Sequence, residues 1–182
     1  MISFHEKEMK VKANNNSSML YMNVNLSSLR GRPHPSLQNI ITTNVVTRLR
    51  PFIKLLSGDY LTYERKYEES GKGNPTCRTC LQGNESISHI LAQCVAYRHI
   101  RERIFEEFSK ICLFTKNQIN FESIKTDPHT LTQFLLDPTS FNLKIRVHIS
   151  DPVVPTLFKL SRDYCSAIHE ERTRKLRELL GN

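Results

Sequence analysis

The 182-residue sequence lacks tryptophan, long apolar runs and a hydrophobic start. Because no run of about 18 apolar residues occurs, no transmembrane helix is expected. The first residues include Glu6 and Glu8 and no apolar block, so no secretory signal peptide is expected. We therefore expect an intracellular protein, located in the nucleus, the cytoplasm or both, with no membrane partner.

Apolar residues are also scarce, at 38% of the chain, so we expect a thin hydrophobic core. The formal net charge is +8, and it is unevenly distributed: residues 30–66 carry seven basic and two acidic side chains, whereas residues 67–112 carry equal numbers of each. A polyanionic partner would therefore contact residues 30–66 first. A solvated basic face without any partner is the alternative.

Proline and apolar periodicity divide the chain into three parts. Residues 1–35 are rich in Asn and Ser and end in two closely spaced prolines, which predicts a flexible leader. Residues 36–112 show apolar residues at helical spacing and contain a cysteine pair. Residues 113–182 combine an irregular segment, broken by prolines, with a C-terminal helix.

Two helices are predicted in the first half of the chain. Ser36 is the expected cap of the first helix, which Pro51 should interrupt. Asp59 is the expected cap of the second. That helix would carry three tyrosines on one face: Tyr60, Tyr63 and Tyr67.

Helices are also predicted in the second half. Residues 85–94 and 95–112 are interpreted as helical, the latter with one apolar stripe. A last helix should run from about 155 to 180 and stop at Gly181, with basic residues near its C-terminus. The whole pattern predicts a mainly α protein.

Three cysteines and one histidine lie close together in the middle of the sequence. The chain has two residues between Cys77 and Cys80, eight before His89 and four more before Cys94. Two thiolates at this spacing can hold Zn²⁺ from one tight turn, and a histidine and a cysteine on a short helix can complete the tetrahedron. Protein would fill all four positions, which predicts a structural site. The expected fold is therefore mainly α, with small helical domains organised around a CCHC zinc knuckle.

Other interpretations of the cysteines remain open. A disulfide between Cys77 and Cys80 does not suit a reducing compartment. A thioredoxin-like redox pair needs a βαβ context that the flanking sequence lacks, and buried thiols beside a surface histidine are the simplest alternative. Cys112 and Cys165 are expected in the core, although His169 follows Cys165 by four residues and is a candidate base for a catalytic thiol.

Several stretches of the chain carry a family resemblance in addition to the cysteine–histidine cluster. They are residues 31–35 (GRPHP), 49–64 (LRPFIKLLSGDYLTYE), 89–104, 134–143 and 151–176. Together they resemble the C-terminal part of non-LTR retrotransposon reverse transcriptases, in which a zinc knuckle of similar spacing follows a Thr/Ser-Gly pair. Here that pair is Ser57-Gly58, and Asp59 stands where many relatives have a histidine.

The resemblance implies RNA or DNA as partners, bound during target-primed reverse transcription, and the catalytic part of a reverse transcriptase as a further candidate partner. Catalysis by this chain is not expected. It has no Asp-Asp pair for polymerase metals, no endonuclease-type acidic pattern and no Gly-rich phosphate loop. We expect a non-catalytic nucleic-acid-binding zinc module with no small-molecule substrate.

Candidate nucleic-acid contacts follow from charge and aromaticity. Basic side chains would contact phosphates, and tyrosines would stack on unpaired bases or instead pack against the knuckle. The candidates are Arg48, Arg50, Lys54, Tyr60, Tyr63, Arg65, Lys66 and Arg78. Two alternatives remain: a protein-interaction adaptor that uses helices 95–112 and 155–180, and an inert or co-opted transposon remnant.

Overall fold

We describe the protein from a computed structural model, which covers Tyr21 and residues 34–37, 43–140, 146–148 and 150–181. Within these ranges the protein is mainly helical, as predicted, and contains no strand. The α-helices are α1 (Thr43–Leu56), α2 (Tyr63–Ser70), α3 (Arg98–Leu113), α4 (Phe121–Lys125), α5 (Pro128–Leu136) and α6 (Val154–Leu180). Most of the predicted leader lies outside the described residues.

A single hydrophobic core joins both halves of the chain. The long helix α6 packs against α1, α3 and α5, and α4 packs against α3 and α5. Residues 36–112 and 113–182 therefore share one core in the described part of the protein. Its largest fully buried side chains are aromatic: Phe52, Tyr97, Phe108, Phe121, Phe134, Phe158 and Tyr164.

Helix α1 differs from its prediction in its middle. Residues Pro35–Leu37 form a 3-10 turn and α1 is described as Thr43–Leu56, while residues 38–42, where the predicted helix would begin, lie outside the described residues. Pro51 does not interrupt the helix but lies inside it. Although proline removes one backbone hydrogen bond, Phe52 and Leu55 are almost fully buried next to it. Packing of this apolar face against α6 keeps the helix continuous.

The cap of α2 was also wrongly predicted. Thr62, not Asp59, caps the helix, because its hydroxyl accepts a hydrogen bond from the backbone N–H of Arg65 at 3.1 Å. Tyr60 therefore precedes α2 and does not share a helical face with Tyr63. The helix ends at Gly71, whose positive φ of 63° favours glycine.

The segment expected to be irregular contains two helices, α4 and α5. Asp127 caps α5 by accepting hydrogen bonds from two backbone N–H groups, and Pro128 occupies the first turn. Proline there marks a helix start, since its missing N–H would have no intrahelical partner. The expectation of irregular structure was wrong for this part of the segment.

Helices α3 and α6 follow their predictions closely. Ile100, Ile104 and Phe108 form the buried stripe of α3. Helix α6 runs for 27 residues and ends at Gly181 in the left-handed conformation. None of the helices in the described ranges is long and apolar enough to span a membrane.

Candidate metal centre and basic cavity

A short hairpin positions the first two cysteines. Thr76 and Asn84 form an isolated antiparallel bridge. The backbone N–H of Cys77 donates to the carbonyl of Gly83 at 2.9 Å, and the N–H of Leu81 donates to the carbonyl of Cys77 at 2.8 Å. Gly83 has a positive φ of 64°, which lets the chain turn back at this point.

A π-helical turn positions the other two residues of the cluster. The Ser86 hydroxyl accepts from the N–H of His89 at 2.9 Å, at the start of the turn His89–Gln93. The backbone N–H of Cys94 donates to the carbonyl of His89 at 2.7 Å. Because this backbone bond joins residues five apart, about one π-helical turn, it places the side chains of His89 and Cys94 on the same side of the turn.

The four side chains converge on one point. The Sγ atoms of Cys77, Cys80 and Cys94 and a ring nitrogen of His89 all lie within 4.8 Å of one another, so they could hold one metal ion. The Sγ atoms of Cys77 and Cys94 are 3.9 Å apart, and Cys80 Sγ is 3.3 Å from His89 Nε2. A tetrahedral Zn²⁺ site with bonds of about 2.0–2.3 Å has donor–donor edges of about 3.5–3.8 Å. The observed spacing is close to those edges.

Burial and hydrogen bonds shift the pKa values of the two buried cysteines in opposite directions. Cys77 and Cys94 are fully buried. Their mutual hydrogen bond lowers the pKa of Cys77 far below its usual value, and the same bond, together with burial, raises the pKa of Cys94. The Gln82 N–H donates to Cys80 Sγ at 3.4 Å. The hydrogen bond between the two sulfur atoms therefore favours one thiolate in the pair.

Thr79 and Tyr97 support the donors from outside and were not identified from the sequence. The Thr79 hydroxyl lies 3.1 Å from Cys77 Sγ and 3.6 Å from Cys94 Sγ. The buried Tyr97 hydroxyl donates to Thr79 Oγ1 at 3.2 Å. Such outer contacts orient metal ligands. Thr79 could have been suspected because it lies between the two cysteines of the turn, whereas nothing local indicated Tyr97.

A buried ion pair ties the hairpin to α6. Glu85 is fully buried, and its Oε1 accepts hydrogen bonds from the Arg172 guanidinium at 2.6 Å and from the backbone N–H of Tyr63 at 3.1 Å. The guanidinium of Arg78, in the turn between the first two cysteines, lies over the Tyr63 ring at 4.6 Å. The hairpin is therefore joined to both α2 and α6.

The two remaining cysteines lie in the core, as predicted. All five cysteines are free, so Cys77 and Cys80 form no disulfide. Burial raises the pKa of Cys112 to about 12 and that of Cys165 above its usual range. His169 Nδ1 lies 2.9 Å from the Tyr60 hydroxyl. A catalytic pair of Cys165 and His169 is not supported, because the thiol is buried and protonated and the ring is engaged elsewhere.

The structure separates the candidate nucleic-acid residues into two groups. Arg48, Arg50 and Lys54 line one cavity between α1 and α6, together with Tyr60. The second group lies at α2 and the hairpin and consists of Tyr63, Arg65, Lys66 and Arg78.

Burial and pairing change the interpretation of two candidates. Tyr60 is only 4% exposed, so its ring is packed inside the protein, and packing is the alternative to base stacking that the sequence left open. The partner that buries it is His169, far away in sequence. Arg65 bonds to Glu69, Asp59 and the carbonyl of Gly58, which compensates its charge locally. Lys66 and Arg78 remain exposed.

Comparison with known proteins gives no match to any family model, curated protein or solved structure.

Proposed function

We propose that the chain is a non-catalytic nucleic-acid-binding module whose hairpin holds one structural Zn²⁺. Three thiolates and an imidazole are the donor set that zinc prefers in closed structural sites. Protein atoms would occupy all four positions of the tetrahedron, which leaves none for a reacting water. Zinc would then contribute to folding, since its binding free energy is available only when the four donors converge.

The basic cavity carries the proposal of nucleic-acid binding. Arg50 and Lys54 are exposed, and no acidic side chain in the described part of the chain forms an ion pair with either. Arg48 lies 3.4 Å from Asp163, but both side chains are substantially exposed, so this pair contributes little. Unpaired cations at one cavity are suited to phosphate groups, as the charge of residues 30–66 indicated.

Metal content and salt dependence test the two halves of this proposal. Native mass spectrometry of the purified chain, with and without a chelator, should show one zinc per chain.

Binding to single-stranded RNA should weaken as salt increases. Replacing Arg48, Arg50 and Lys54 by Gln should lower the slope of log K against log salt by about 0.7 for each phosphate that the variant no longer neutralises.

The matched control for this triple variant replaces three exposed lysines away from the cavity with Gln: Lys72, Lys116 and Lys159. Both variants lose the same charge, so a difference between them reports the position of the charge and not its amount. An equal loss of slope in both variants would place the binding face elsewhere. RNA binding without salt dependence would contradict the proposal.

A protein-interaction adaptor is the second candidate, favoured by one observation. Leu179 and Leu180, at the end of α6, are 60% and 62% exposed. Exposed leucines on a helix end are suited to an apolar partner surface. The two candidates differ in salt dependence, because association through leucines should not weaken as salt increases.

A further inference from the structure

The cavity between α1 and α6 combines charge with an apolar wall. Its volume is about 400 Å³, which lies within the range of sites for small organic ligands of about 300–1,000 Å³. Basic groups line one part of it, while Pro51 and Leu61 supply apolar surface. A free phosphate would contact only the basic part of the cavity, and an apolar ligand would contact only its apolar part.

The charges in the cavity are only partly compensated. Arg172 is held by Glu85, and Arg48 is close to Asp163. Among the lining residues that the structure describes, Glu170 is the one acidic side chain, and it accepts a hydrogen bond from the Ser166 hydroxyl at 3.0 Å. Arg50 and Lys54, which lie four residues apart on α1, therefore leave an excess of positive charge at the cavity.

His169 and Tyr60 add a polar but neutral part to the wall. Burial, together with the nearby charge of Arg172, lowers the pKa of His169, and burial raises the pKa of Tyr60. Both groups are therefore uncharged near neutral pH. Their hydrogen bond uses His169 Nδ1, so Nε2 is the ring nitrogen left for a ligand.

We propose that this cavity takes one unpaired nucleotide of a bound single strand, with its phosphate at Arg50 and Lys54 and its base and sugar against Pro51 and Leu61. The inference rests on the proposed nucleic-acid binding and adds a preference for single strands. A nucleotide within a duplex has its base stacked and paired, so it can enter a cavity only if it is flipped out. Flipping costs a few kcal/mol.

The first test compares the zinc-loaded full chain bound to a 12-nucleotide RNA strand and to the same strand in a duplex, at equal salt. Fluorescence anisotropy should show affinity about tenfold or more higher for the single strand, because the duplex must unpair and unstack a base first. Equal affinities would overturn the cavity proposal and leave nucleic-acid binding standing. If neither RNA binds, the proposed function itself fails, and the cavity proposal fails with it.

A substitution that leaves the charge unchanged tests whether the preference for single strands arises at this cavity. Leu61 is 51% exposed, so Leu61→Ala should fold, and it should lower single-strand affinity by about threefold because it removes apolar surface from the wall, with duplex affinity unchanged. The matched control is Leu81→Ala, which truncates a 77% exposed leucine outside the cavity and should change neither affinity. An equal loss for strand and duplex in Leu61→Ala would overturn the proposal.

Small probes distinguish a nucleotide site from a general anion site. Uridine 5′-monophosphate should shift the Leu61 methyl resonances at lower concentration than either inorganic phosphate or uridine does, since only the nucleotide contacts both parts of the wall. If inorganic phosphate or an oligo-glutamate peptide binds as tightly as the nucleotide, the cavity is an unspecific anion site and the proposal is wrong.

Discussion

The metal-ligand hairpin and the aromatic core are ordered by different forces. In the hairpin, residues 75–94, the defining contacts join polar donors within 4.8 Å of one another. In the core, aromatic rings of α3, α4 and α5 pack with centroids 5.5–6.2 Å apart. Removing an ion should therefore disorder the first region without dissolving the second. The two regions meet at the π-helical turn, where Ile90 and Leu91 are buried in the core.

The largest effect on folding is expected when the candidate metal site loses a donor or its ion. Cys80→Ser, or chelation, should remove binding free energy on the order of 10 kcal/mol and unfold the hairpin together with α2, which is attached to it, over about residues 60–94. Hydrogen exchange measured by mass spectrometry should show protection lost there and retained in α5 and α6. Cys112→Ala, which alters a buried thiol outside the cluster, is the control and should keep the hairpin protected. An unchanged exchange pattern in Cys80→Ser would contradict a structural metal.

The second largest effect is expected from truncating a side chain of the aromatic core. Phe134 is fully buried against Phe108 and Phe121, so Phe134→Ala should lower the free energy of unfolding by about 3–5 kcal/mol. Chemical denaturation measures this loss, and native mass spectrometry should still find one zinc per folded chain. Phe114→Ala provides the control, because Phe114 is 78% exposed and its truncation should have little effect. Zinc lost from folded Phe134→Ala would show that the two regions are not separable.

The buried ion pair is one of the connections between the hairpin and the rest of the protein. Glu85→Gln should retain the hydrogen bond from Tyr63 but leave Arg172 uncompensated, at a cost of about 3 kcal/mol. Thermal unfolding followed by circular dichroism checks the loss. Glu69→Gln, on the exposed side of α2, is the control and should cost under about 1 kcal/mol. If both variants melt alike, Glu85 does not link the hairpin to α6.

The smallest effect concerns backbone strain in the hairpin. Leu81 has a φ of 59°, a left-handed conformation that costs a non-glycine residue about 1–2 kcal/mol. Leu81→Gly should relieve most of that cost, offset in part by the greater freedom of glycine in the unfolded chain. A net gain of about 0.5–1 kcal/mol in denaturant titration is expected. Leu81→Ala keeps the strained conformation and should gain nothing, so equal stability of the two variants would argue against strain.

Features that depend on residues close together in the sequence could be predicted from local patterns. The spacing of the cysteines and His89 predicted that they would come together, and the apolar stripes predicted α3 and α6. The start of α5 was also encoded locally, by Asp127 and Pro128, but proline was interpreted there only as a helix breaker. That error was avoidable, because proline in a first helical turn is favourable.

Other features depend on contacts that no local pattern reveals. Tyr60 is buried by His169, 109 residues away, so its exposure could not be judged from its neighbours. Pro51 is tolerated inside α1 because α6 packs against the same helix. The pairing of Glu85 with Arg172 likewise joins two distant segments. Tertiary packing overrides local propensity at these positions.

The ion pair between Glu85 and Arg172 can form only late in the synthesis of the chain. All four metal donors lie between residues 77 and 94, whereas Arg172 follows Glu85 by 87 residues. At a synthesis rate of about 5–20 residues per second, Arg172 is added roughly 4–17 seconds after Glu85. During that interval the nascent chain already contains every donor of the candidate metal site, while Glu85 has no guanidinium partner. Assembly of the cluster therefore does not have to wait for α6, whereas its attachment to α6 through the ion pair does.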